Sequence, residues 1–218
     1  SGTPNSQECI LEEFIYESTE GENNLDYLSS MQAYIKGYLE RKKTRLNLEV
    51  SLSEEMVELA LSLKPDSVCL VPENRLEVTT EGGLDVVGNL GRAQEAVQAF
   101  IQQGIPTSMF IDPDSDQLEA SAKIGSPWVE LHTGSFARGW GDLNKRKEEL
   151  TKLMDGMNLG QSLGLQVNAG HGINYENVEG AKTLSGVTEF NIGHSIISRS
   201  LQYGLFEAVS TMRKLLNS

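Results

Sequence analysis

LQVNAGHGINYENV, residues 165–178, poses the question on which both fold and function turn. A short β-like run ends in Asn168, Gly170, His171 and Gly172 follow, and the rest reads as the start of a helix. The 218 residues hold three histidines, and one of them stands here between two glycines. Glycines let a ligand approach the backbone, and an imidazole can move a proton near neutral pH. Taken alone, such a stretch is more often a structural turn with an incidental histidine.

Working outward, the same strand-then-helix order recurs. TRLNLEV (44–50) reads as a strand, with Ser53 as a helix N-cap candidate and Met56, Leu59, Ala60 and Leu63 at helical spacing behind it. SVCLVP (67–72) is a continuous apolar run, the pattern of a strand buried on both faces. After a long loop, a helix near 92–103 carries Ala93, Ala96, Val97 and Phe100 on one face. PTSMFI (106–111) is the next strand, and Asp114 with Gln117 reads as a capping box behind it. PWVELHTG (127–134) is followed by a helical region running to about 163, and EFNIGH (189–194) by a last helix stacking Leu201, Leu205, Val209, Met212 and Leu216.

Six βα units imply parallel crossovers, hence a doubly wound sheet or a (β/α)8 barrel. Position favours the barrel. Glu49, Thr79, Thr80, Glu130, His132, His171, Gly193 and His194 all fall at the C-terminal ends of strands, which a barrel gathers at one mouth. An open sheet would collect them only near its switch point. The last two loops each set glycines beside a polar side chain just before a helix, a suitable place for an anion.

Composition narrows the class. A net charge of −13 argues against sequence-independent binding to nucleic acid or an anionic membrane surface. Cys9 and Cys69 make neither a disulfide framework nor a zinc set, and the histidines lack paired-ligand spacing, so no metal is expected. No apolar run approaches the roughly 20 residues of a membrane span and no secretory signal is visible. A soluble, cytoplasmic protein is the expectation.

RLNLEVSLSEEM, KPDSVCLVPENRLEVTTEGGLDV, FIDPD, VELHTG, LQVNAGHGINYENV and EFNIGHSIISRS together resemble the pyridoxine 5′-phosphate synthase family, over about residues 44–218. The resemblance implies a TIM (β/α)8-type barrel that condenses 1-deoxy-D-xylulose 5-phosphate with 3-amino-2-oxopropyl phosphate. The products are pyridoxine 5′-phosphate, inorganic phosphate and water, with no cofactor. It implies Glu49 as proton acceptor, Glu130 as stabiliser of charged intermediates and His171 as proton donor. It further implies Thr79 as a deoxyxylulose phosphate contact, Gly172, Gly193 and His194 as contacts to the second substrate, and a homo-octamer. His132 receives no role.

Residues 1–43 depart from this pattern. They read as a divergent, mainly helical segment, in which Leu28, Met31, Ile35, Tyr38 and Leu39 recur at amphipathic spacing. ECILEEFIY within them reads as a short helix or a strand. The family's first two strand motifs are absent, so those two βα units are degenerate, replaced or missing. Two functions from different classes therefore stand: an active synthase, or a catalytically impaired relative that binds a phosphate ligand or serves as an interaction scaffold.

Overall fold

The computed structural model describes residues 32–37, 39–41, 44–72 and 82–218. Six parallel strands lie in sequence order: β1 (Asn47–Ser51), β2 (Ser67–Val71), β3 (Thr107–Ile111), β4 (Trp128–His132), β5 (Gln166–Gly170) and β6 (Phe190–Asn191). Helices α1 (Glu54–Leu63), α2 (Leu90–Gln102), α3 (Ser115–Lys123), α4 (Gly134–Gly139), α5 (Leu143–Ser162), α6 (Val178–Ala181), α7 (His194–Tyr203) and α8 (Leu205–Leu216) alternate with them. Among the described residues β1 and β6 do not pair with each other, so the sheet is a half-barrel with two ends.

The apolar patterning explains the layers. Val68 and Leu70 of β2, Met109 of β3 and Val129 and Leu131 of β4 are all fully buried, as parallel strands covered by helices must be. The α2 face read from sequence is the buried one, with Ala93, Ala96, Val97 and Phe100 all inside. Ile35 belongs to the same core at 3% exposure, and Leu39 packs against it. Leu28, Met31, Tyr38, Cys9 and the ECILEEFIY stretch lie outside the described residues.

Three local expectations are corrected. Asp114 caps nothing with its side chain. Gln117 turns away instead, accepting from the Val86 N–H at 2.7 Å and donating to Asp85 at 2.9 Å, because the loop before α2 leaves a buried amide to satisfy. The helical region to 163 is interrupted after α4, where the Asp142 carboxylate accepts from the Asn144 and Lys145 N–H groups and starts α5 afresh. The last helix is two, joined at Gly204 with φ 80°, a conformation that suits glycine. The break takes Leu201 out to 87% exposure while Met212 and Leu216 stay buried.

Candidate active site

Strand register decides which side chains meet. Glu49 lies opposite Cys69, and Cys69 opposite Ser108, so β1, β2 and β3 contribute one row. Glu130 of β4 shares the interior with that row and is 3% exposed. Cys69 is completely buried, and its thiol donates to Glu130 Oε2 at 3.7 Å. Asn191 of β6 donates to the same oxygen through Nδ2 at 2.5 Å. The other oxygen, Oε1, lies over Gly170 of β5, where the Cβ of any other residue would overlap it.

The loops after β5 and β6 build the mouth. His171 follows Gly170 with φ 77°, a left-handed conformation that few non-glycine residues adopt. The Thr133 hydroxyl holds that turn by bonding to Gly170 O at 2.7 Å and His171 O at 2.5 Å. Gly172 also has positive φ, 78°, and its carbonyl accepts from buried Asn177 at 3.0 Å. Gly193 caps α7, and its carbonyl accepts the first intrahelical bonds from Ile196 and Ile197. The N–H groups of His194 and Ser195 precede those donors and lie at the positive end of the helix, a natural anion seat.

These parts enclose a cavity of about 540 Å³. Glu49, Glu130, His171, Gly172, Gly193 and His194 all line it, so six of the seven site residues expected from sequence meet there. Thr79, the seventh, lies outside the described residues. Asn47, Phe110, Asn174, Asn191 and Ser195 line it as well.

Residues 31–218 match the family model described as pyridoxal phosphate biosynthesis protein PdxJ. The chain belongs to the PdxJ family. The pyridoxine 5′-phosphate synthase of Prochlorococcus marinus is 50% identical over 177 residues, 81% of this chain and 71% of that protein. The Geobacter sulfurreducens protein of the same name is 51% identical over 172 residues, covering 78% of this chain and 71% of its own length. Among solved structures, 3-hexulose-6-phosphate synthase from Salmonella typhimurium superposes with a TM-score of 0.60 at 14% identity, over 87% of this chain and 79% of that one. The tryptophan synthase A-subunit of Pyrococcus furiosus gives 0.53 at 15% identity, over 85% and 70%. At such identities the likeness is one of fold, and the half-barrel is therefore of the TIM type.

Electrostatics sort the titrating groups of this PdxJ-family chain. Burial first, and then the neighbouring Glu49 charge, push the Glu130 carboxyl up to about 8. Burial, with Glu130 and Glu49 close by, raises the Cys69 thiol well above its usual range, so it remains a donor. Burial also lowers His171, and the charges of His132, Arg138 and His194 add to the effect. Partial burial works to raise Asp112, but hydrogen bonds from His132 and the Gly83 N–H outweigh it and hold that carboxylate low.

Sequence reasoning overlooked Asn191 and the Asp112–His132 pair. Asp112 Oδ1 is 2.8 Å from His132 Nδ1, its Oδ2 accepts from Gly83 N at 3.1 Å, and the His132 ring stands 5.1 Å from that of His171. His132, given no role from sequence, thus packs directly behind a cavity-lining imidazole. For Asn191 a signal existed: a polar residue between the apolar Phe190 and Ile192 at a strand end.

The tight seat of Glu130 makes a sharp expectation. Gly170→Ala forces a Cβ into Glu130 Oε1 and within 3.1 Å of Asn191 atoms. Overpacking of this kind costs about 1–3 kcal/mol, to be read as a lower denaturant midpoint at unchanged m-value.

Proposed function

We propose that this chain catalyses the condensation of 1-deoxy-D-xylulose 5-phosphate with 3-amino-2-oxopropyl phosphate to pyridoxine 5′-phosphate, phosphate and water. One observation carries the reading: Glu49, Glu130 and His171 share the wall of one cavity with the N-terminus of α7. Building a pyridine ring takes an amine–ketone condensation, loss of phosphate, dehydration and deprotonation at carbon. Each step moves a proton at a defined place, work suited to carboxylates and imidazoles.

In this reading Glu49 removes protons, Glu130 serves charge development at the substrate and His171 donates. Gly172, Gly193 and His194 receive the aminooxopropyl phosphate, its oxygens meeting the N–H groups at the start of α7. Thr79 contacts the deoxyxylulose phosphate. The catalytic region is residues 44–218, working as a homo-oligomer in the cytoplasm, where the Cys69 thiol stays reduced.

The test is turnover. Purified chain is incubated with both phosphorylated substrates and pyridoxine 5′-phosphate is followed by chromatography. Product formation is expected. Folded protein that yields none would overturn the reading and leave the cavity to phosphate-ligand binding or a scaffold role.

A further inference from the structure

Glu130 offers its two oxygens to different surroundings. Oε2 accepts from both Asn191 Nδ2 and the Cys69 thiol. Oε1 makes no hydrogen bond among the described residues and lies over the bare Cα of Gly170, and Glu130 itself lines the cavity. A neutral carboxyl has one carbonyl oxygen and one hydroxyl. An oxygen that accepts two hydrogen bonds has no room to carry the proton as well, so the hydroxyl belongs on Oε1.

We propose that Glu130 works as a neutral acid with its proton on Oε1, and that Asn191 and Cys69 are the positioning residues that hold it so by donating to Oε2. The groups around it agree. Glu49 on β1 and Glu189 just before β6 place negative charge near it, Cys69 on β2 is a thiol, and Asn191 on β6 is uncharged. Ser108 on β3 is buried beside Cys69, and its Oγ makes no hydrogen bond of ordinary geometry among the described residues. Burial among carboxylates keeps a carboxyl protonated near neutral pH.

The proton has a use in the dehydration, and on this point the inference rests on the proposed reaction. Glu49 takes a proton from carbon as the C–H bond breaks and the C=C bond forms. The hydroxyl departs from the adjacent carbon with its bonding pair, and the Glu130 proton joins it as water. Glu130 is left as carboxylate and Glu49 as acid, and the proton returns from Glu49 to Glu130 through solvent, closing the cycle.

The experiment is isotope-edited infrared spectroscopy on ¹³C-glutamate protein, as a difference against Glu130→Gln, from pH 6 to 10. At pH 7 a protonated-carboxyl C=O band is expected that the variant lacks, disappearing with a midpoint near 8. Asn191→Leu and Cys69→Ala each remove a donor that favours the ionised form. Both should raise the midpoint by about one pH unit and lower kcat about tenfold at unchanged KM. Cys69→Ser, which keeps a donor, should restore both. Only a carboxylate band at pH 6 would overturn the proton assignment. Folded Asn191→Leu and Cys69→Ala proteins with wild-type midpoint and kcat would overturn the positioning roles. The band needs no turnover, so a chain that shows it but forms no pyridoxine 5′-phosphate upholds the protonated Glu130 and sinks only the proposed reaction.

Discussion

His171→Asn is expected to lower kcat for pyridoxine 5′-phosphate formation by at least about a hundredfold, the usual scale for losing a positioned proton donor. The substitution is chosen for its backbone. His171 has φ 77°, and asparagine enters that region more readily than most residues. The thermal midpoint should therefore stay at or slightly above the wild-type value, separating lost chemistry from lost structure. The pH profile adds a sign. In the free protein burial and nearby cationic charge lower the His171 pKa, so its charged form is populated only below the ordinary histidine value. A donor acting as imidazolium loses activity as pH rises through its pKa. The descending limb of kcat/KM, which reports the free enzyme, should then lie below about 6.5. Substrate phosphates bring negative charge to the same mouth and favour the imidazolium, so the limb of kcat should move to higher pH. A folded variant with wild-type turnover would remove His171 from the chemistry.

Glu130→Gln carries the largest expected effect on stability, and the effect depends on pH. The Glu130 pKa in the folded chain is about 8 against an ordinary 4.5. Between those values the folded state holds a proton that the unfolded state has released. Stability contributed by this site is thus complete below the ordinary value and falls as pH rises, reaching its minimum above the folded pKa. The slope is at most about 1.4 kcal/mol per pH unit for one proton. Glutamine keeps the shape and the acceptor for Asn191 but does not ionise. Urea unfolding at pH 5 and pH 8.5 should show the wild type losing several kcal/mol relative to the variant between the two conditions. Parallel pH dependence in the two proteins would mean that Glu130 ionises normally in the fold.

Much of this was written in local pattern. Parallel strands covered on both faces favour continuous apolar runs, so SVCLV could be read directly, and α2 announced its buried face through Ala93, Ala96, Val97 and Phe100. Strand C-termini converge in a barrel, which brings Glu49, Glu130, His171, Gly193 and His194 to one mouth, and the family resemblance adds Gly172 and the roles, so a single cavity lined by all six was legible in the sequence. Local pattern failed where two elements compete for one group. Gln117 is claimed by the Val86 amide of the loop before α2, and Leu201 is turned outward by a break at Gly204 that helical spacing alone does not reveal.

What only the tertiary structure decided is which atoms touch. That Asn191 and Cys69, 122 positions apart by number, donate to the same oxygen of Glu130 is a consequence of register between strands. The Asp112–His132 contact behind His171 arises likewise from the ends of two neighbouring strands. Sequence carries the residue types because chemistry and burial select them one position at a time. Proton location and pKa depend on distances of a few ångströms between residues far apart in the chain, and those exist only once the sheet has formed.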